Sequence, residues 1–96
     1  MTHYLLLKFE PNYFNDKLFQ YIKETYLRIK EAIENIEAVA VYKNCLDRQG
    51  NMDVMIKMDL EGEDTLNTYL EHELHKAFVK AVDEHVVLRV SFDVNE

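Results

Sequence analysis

The chain is poor in cysteine, glycine and basic charge, and each shortage rules against something. A single cysteine, Cys45, cannot form an intramolecular disulfide, and it suits a reducing cytoplasm. Two glycines are too few for a loop that cradles phosphate. Eleven Lys and Arg face eighteen Asp and Glu, a net charge of −7. Phosphate binding needs clustered cations. No basic stripe is present, so nucleic acid and anionic membrane surfaces are disfavoured as partners. No apolar run approaches the roughly 20 residues of a membrane span. Tyr4 to Leu7 is shorter than the apolar region of a signal peptide, and Lys8 ends it. The expected location is therefore cytoplasmic. Repeats, linkers, low-complexity tracts, a nucleophilic serine elbow and a Cys/His pair are all missing.

What is present is a soluble-protein composition, 48% apolar and 30% charged over 96 residues. That length makes one domain, 1–96, which buries roughly 60–65% of its unfolded surface. A core this thin is often supplemented by oligomerisation.

The pattern of apolar residues orders the chain as β-α-β-β-α-β. His3 to Phe9 alternates as a strand, with His3, Leu5, Leu7 and Phe9 on one face and Tyr4, Leu6 and Lys8 on the other. Pro11 and Asn12 break it. A helix is expected from about Asn15 to Asn35, because Leu18, Ile22, Thr25, Ile29, Ile33 and Ile36 recur at steps of three and four. Ala38 to Cys45 reads as a second strand, with Cys45 taken as a small buried hydrophobe. A turn over Asp47–Asn51 uses the conformational freedom of Gly50. Met52 to Leu60 alternates with Met52, Val54, Ile56, Met58 and Leu60 inward, so strands two and three should form a hairpin. A second helical region opens after Gly62, and its continuity through His72 is left open. In the last strand Val86, Leu88, Val90, Phe92 and Val94 face one way, and Val87, Arg89, Ser91 and Asp93 the other.

This order predicts the α+β, ferredoxin-like plan: a four-stranded antiparallel sheet with two helices on one face. The other face carries Tyr4, Leu6, Tyr42 and Met55 among its charges. A half-apolar open face predicts a homodimer joined sheet against sheet.

The candidate site lies in Tyr69-Leu70-Glu71-His72-Glu73-Leu74-His75-Lys76-Ala77-Phe78. Two of the four histidines are here, three positions apart, and on one continuous helix they would project from one side. The stretch has the composition of a zincin helix without its spacing, which needs histidines four apart. His85, near the helix end, reads as a residue favourable to the helix dipole.

Three segments together resemble the stress-responsive dimeric α/β-barrel family, known as Dabb. They are Met1-Thr2-His3 leading through an apolar strand to Lys8-Phe9, Tyr69-Leu70-Glu71-His72-Glu73-Leu74-His75 with Phe78, and a last strand carrying Asp93. The family's second motif is Tyr-x-x-His-Pro-x-His, and here Glu73 replaces the proline. Val94 follows Asp93 where an aromatic is common. The resemblance implies a homodimer whose two sheets form a barrel. It also implies a similarity to olivetolic acid cyclase-like members, which are cofactor-free polyketide cyclases. Their site pattern would fall on His3, Tyr69, His75 and Asp93. Related barrels include monooxygenases and haem-degrading enzymes, and nothing in this sequence points to either.

The chemistry of those four residue types suits an aldol closure without a cofactor. Such a closure needs a base that titrates near neutrality, which His75 supplies. It needs a donor for the developing enolate, from Tyr69 or His3. Asp93 would orient the base. Asp93 has the opposite parity to the apolar face of its strand, so a bulge or the strand end is expected to redirect it. Three readings stay open: a cavity that binds a small apolar or polyketide-like ligand, a catalytic cavity, and a structural or interaction role. A cavity between helices and sheet, lined by His3, Tyr69 and His75, would separate them. Filling of that space by Phe78 and Ile29 would remove it.

Overall fold

In the computed structural model, which describes residues 1–96, the elements are β1 (Thr2–Phe9), α1 (Asp16–Ala32), β2 (Ile36–Lys43), β3 (Val54–Leu60), α2 (Glu63–Glu71), α3 (Glu73–Val82), a 3-10 turn (Asp83–His85) and β4 (Val86–Val94). The four strands form one antiparallel sheet in the order β2-β3-β1-β4. The helices cover one face, so the ferredoxin-like βαββαβ plan holds, with the second helix in two pieces. No helix is long and apolar enough to cross a membrane.

Alternation explains the core. Leu5, Leu7 and Phe9 of β1 and Val54, Ile56, Met58 and Leu60 of β3 are buried under Ile22, Tyr26 and Ile29 of α1 and Phe78 and Val82 of α3. Each large side chain buried in this way contributes about 1.5–3 kcal/mol. Met52 stands before the strand and is only half-buried.

α1 starts where Asn15 accepts a hydrogen bond from the Leu18 N–H through its side chain, at 2.8 Å. It stops three residues earlier than its apolar spacing suggests. Ile33 is already extended, and Asn35 takes a left-handed φ of 72°, which asparagine tolerates better than most residues. Ile33 and Ile36 are still buried, but from extended backbone, and β2 starts at Ile36 rather than Ala38. The strand ends at Lys43, so Cys45 falls in the following loop and is exposed, not a core residue. Gly50 has a φ of +97° in that loop, as a turn there requires.

β4 differs most from expectation. Its register on β1 pairs His3 with Asp93, Leu5 with Ser91 and Leu7 with Arg89. Directly paired residues share a face, so the polar side of β4 faces the helix layer, but at an edge the helices leave uncovered: Arg89, Ser91 and Asp93 stay exposed. Leu88, Val90 and Phe92 lie on the open face and are exposed, Phe92 by 62%. The open face thus carries one row of Tyr42, Met55, Leu6 and Val90, and a second of Ala40, Lys57, Tyr4 and Phe92. No bulge redirects Asp93. The register irregularity sits at the far end, between Lys8 and Phe9.

The second helical region breaks at His72, whose φ of −67° and ψ of 142° are extended. Its Nδ1 accepts the Leu74 N–H at 3.0 Å and so caps α3. Glu73 is the first residue of α3, a position where an N–H has no intrahelical partner. Proline would fit there, because it prefers an extended residue before it and loses no bond at that position. Glu73→Pro should therefore raise Tm by roughly 2–8 °C. Thermal unfolding followed by circular dichroism checks this, and a lower Tm would contradict this account of the break.

Candidate functional site

Four elements meet around Tyr69. The break at His72 resets the helical phase, and α3 then buries His75, Phe78 and Val82 on one side. The ring of His75 packs against that of Tyr69, with centroids 4.4 Å apart. The Tyr69 hydroxyl lies 2.5 Å from the Tyr26 hydroxyl of α1. His3 of β1 closes the group, its ring 6.1 Å from Tyr69. Asp93 sits opposite His3 across the β1–β4 ladder, and His3 Nδ1 is 2.5 Å from Asp93 Oδ1. All four residues singled out in the sequence are therefore brought together.

Their internal pairing differs from expectation. Asp93 holds His3 and not His75. His75 is fixed by the backbone: its Nδ1 lies 3.1 Å from the Leu70 carbonyl oxygen. A carbonyl only accepts, so Nδ1 carries the proton and the lone pair of the neutral ring is on Nε2. That Nε2 has no partner in the protein, yet no buried side-chain nitrogen or oxygen is left unpaired, so solvent reaches it. Burial lowers the His75 pKa below its usual 6.5, Arg89 and His3 lower it further, and the Leu70 carbonyl opposes them. Tyr69 is fully buried, and burial pushes it up to about 12 against the easing effects of the Tyr26 bond and of Arg89. Burial likewise raises Tyr26 well above 10. Both hydroxyls keep their protons. Whichever donates within the pair, the other has a proton to give.

The space between helices and sheet is filled. Tyr26, Ile29, Tyr69 and Phe78 are each no more than 1% exposed. The enclosed cavity expected among His3, Tyr69 and His75 is thus replaced by packed side chains. His75 opens outward, onto a cleft of about 620 Å³ lined by Leu70, His75, Lys76, Val79, Lys80, Asp83, Glu84 and Arg89. Tyr69 and His3 lie behind its wall.

His72 takes no part in this group, since its ring is used in capping α3. The two neighbouring histidines do not share a helix face, because they do not share a helix. His85 stacks on Tyr13 at 3.9 Å, and its Nδ1 is 2.6 Å from Glu10 Oε1, so it clasps the end of β1 besides ending its own helical turn. Sequence reasoning missed Tyr26, Leu70 and Arg89. Tyr26 read as core. Arg89 has the parity of Asp93, a signal that the assumed orientation of β4 concealed.

The lowered pKa has a consequence for stability. Below about pH 6.5 the unfolded chain takes up the His75 proton before the folded one, so stability falls as the pH drops through that range. His75→Gln should lose less stability than the wild type between roughly pH 7 and pH 5. Denaturant unfolding over a pH series measures this, and parallel curves for the two proteins would contradict a buried neutral His75.

Known proteins can be set beside this geometry. Solved structures similar to the chain include a dimeric ferredoxin-like protein of unknown function from Thermobifida fusca, 24% identical with a TM-score of 0.78, over 95% of this chain and 85% of that one. A protein of Arabidopsis thaliana is 16% identical with a TM-score of 0.80, over 99% of this chain and 93% of its own. A hydroxynitrile lyase of Passiflora edulis is 10% identical with a TM-score of 0.75, over 99% and 93%. At these identities the likeness is one of fold. No curated protein matches the chain. The Stress responsive A/B Barrel Domain (Dabb) family matches residues 1–96, the whole sequence described, and the chain belongs to that family.

Proposed function

We propose that this chain is a cytoplasmic homodimer that binds a small molecule in the cleft at His75, and that His75 acts there as a general base. The observation that supports this most directly is the state of the ring. Burial keeps it neutral, the Leu70 carbonyl fixes its tautomer, and Nε2 is left free beside the cleft. A base held in one tautomer, with its lone pair open, is what proton abstraction needs.

The other three residues support the base rather than line the cleft. Tyr69, fully buried behind the wall, packs on the His75 ring and holds it in place, backed by the Tyr26–Tyr69 hydroxyl pair, so it steadies the base and does not itself hand a proton to the ligand. His3 is the second polar group, oriented by Asp93. This set suits abstraction of a proton next to a carbonyl, followed by ring closure in the same molecule, as in a polyketide cyclase-like aldol step. The carbon loses its proton to His75 Nε2, attacks the second carbonyl, and the new alkoxide takes that proton back from the His75 imidazolium, which returns the base to its neutral form. The Passiflora neighbour is a lyase on the same fold, which is consistent with an enzyme here but names no substrate. A purely structural role for the histidines draws support from the filled interior, where Ile29 and Phe78 occupy the expected cavity.

A thermal-shift screen of apolar and polyketide-like compounds tests the binding reading. A hit whose affinity ignores both His75→Ala and Tyr69→Phe would favour scaffold histidines. With a substrate in hand, His75→Ala should slow single-turnover reaction by roughly 10²–10⁴-fold. Asp93→Asn should cost less, because it loosens His3 and leaves the base in place. His72→Ala should lower stability by about 1 kcal/mol and leave the rate near wild type. Equal rate losses at His72 and His75 would overturn the assignment.

The homodimer rests on the open sheet face, where Tyr42, Leu88, Val90 and Phe92 are exposed beside Tyr4, Leu6 and Met55. A dimeric relative of the fold supports it. Light scattering should give a dimer at micromolar concentration. Leu6→Glu or Phe92→Glu should give a folded monomer, whereas Leu27→Glu, exposed on the helix side, should stay dimeric. A monomeric wild-type protein would reject this assembly.

A further inference from the structure

The wall of the His75 cleft has a charge that the chain as a whole does not. Lys76 and Lys80 stand about one helical turn apart on α3, and Arg89 rises from the polar side of β4. With Asp83 and Glu84 they place three cations against two anions, on a protein whose net charge is −7. One of the anions is already engaged, since Glu84 Oε1 lies 3.3 Å from His85 Nε2. The three cations have no such partner: none makes an ion pair with a carboxylate. Arg89 is near enough to favour the ionised forms of Tyr26 and Tyr69 and the neutral form of His75. In a chain with surplus carboxylates, three unpaired cations give this cleft a local positive balance.

The lining also narrows the kind of anion. Leu70 and Val79 give the cleft an apolar side next to the cations, which suits an acid with an organic body over a bare inorganic ion. Asp83, the anion left unengaged in the lining, opposes a second negative charge. A planar guanidinium matches a carboxylate with two parallel hydrogen bonds.

We propose that the cleft takes a small organic monocarboxylate, its carboxylate held by Arg89 between Lys76 and Lys80 and its apolar body laid over Leu70 and Val79 toward His75 Nε2. This rests on the reading of the His75 cleft as the ligand site. Arg89 is then the residue that selects acids, and His75 acts on the part of the molecule away from the carboxylate.

The test uses the intact ¹⁵N-labelled protein, with benzoate as the probe and benzamide as its neutral isostere, near neutral pH and at low salt. Benzoate should shift the Arg89 Nε–H and His75 signals, and benzamide should bind roughly tenfold more weakly. Arg89→Gln should weaken benzoate by roughly three- to tenfold and leave benzamide unchanged. Lys17→Gln, on the exposed start of α1, should change neither. Added salt should weaken benzoate alone. Arg89 is exposed, so the variant should keep the wild-type amide spectrum outside the cleft. Equal binding of benzamide and benzoate would overturn the acid preference while leaving the cleft a ligand site. Inorganic phosphate binding as well as benzoate would overturn the organic class. Silence at Arg89 and His75 with both organic probes would overturn this proposal and the cleft reading together.

Discussion

The pairing of His3 with Asp93 across β1 and β4 is the constraint on which most of this structure depends. Side chains alternate along a strand, so a slip of one residue would exchange the two faces of β4. In the observed register Arg89, Ser91 and Asp93 share the helix-side face with His3, exposed at its edge, and Leu88, Val90 and Phe92 go to the open face. The His3–Asp93 hydrogen bond and the ladder agree on that register, which makes a slip costly twice over. β4 is also an edge strand. Inward-pointing charges are one way in which edges avoid pairing with other chains, so Asp93 and Arg89 guard the edge as well as furnishing the region of the site.

The break at His72 is the second constraint. On an unbroken helix His72 and His75 would be about 300° apart and both near one face. The extended backbone at His72 separates them in role. One ring turns back to cap α3, and the other enters the buried group with Tyr69. The Leu70 carbonyl that fixes His75 is free to do so because it lies at the C-terminal end of α2, where carbonyls lack intrahelical partners. The break therefore supplies the acceptor that sets the tautomer of the base. A family motif that carries proline at the position of Glu73 would impose the same break by sterics; here the His72 cap performs that role.

The fold was legible because period-two and period-3.6 patterns are strong in β1, β3 and α1, and their inward residues are the buried ones. The four site residues were legible through short motifs, and the structure does gather them. Three things were not. The face of β4 was misread because its apolar residues were assigned to the protein's own core, whereas the open sheet face also takes apolar residues. The partner of Asp93 was misassigned for the same reason, since only the register reveals that it stands opposite His3. The end of α1 was overrun because Ile33 and Ile36 keep a helical spacing by coincidence while being buried from extended backbone. In each case tertiary packing decided what the local pattern meant.

The same strand ties the proposed assembly to the proposed site. β4 is hydrogen-bonded on one side only, to β1, and elements with few buried contacts are the ones that open locally. On one face its side chains are Val90 and Phe92, exposed in the single chain, and on the other they are Asp93 and Arg89. A second copy laid over Val90 and Phe92 would bury apolar area at about 25 cal/mol per Å² and stiffen the strand whose opposite face orients His3 and lines the cleft. Dimerisation and site geometry then stabilise each other through a single element, with no contact needed between the partner and the site. The thin core of a 96-residue chain makes that coupling useful, because an edge strand held by its ladder and the His3–Asp93 hydrogen bond leaves little margin for holding a base, that bond and a guanidinium in register.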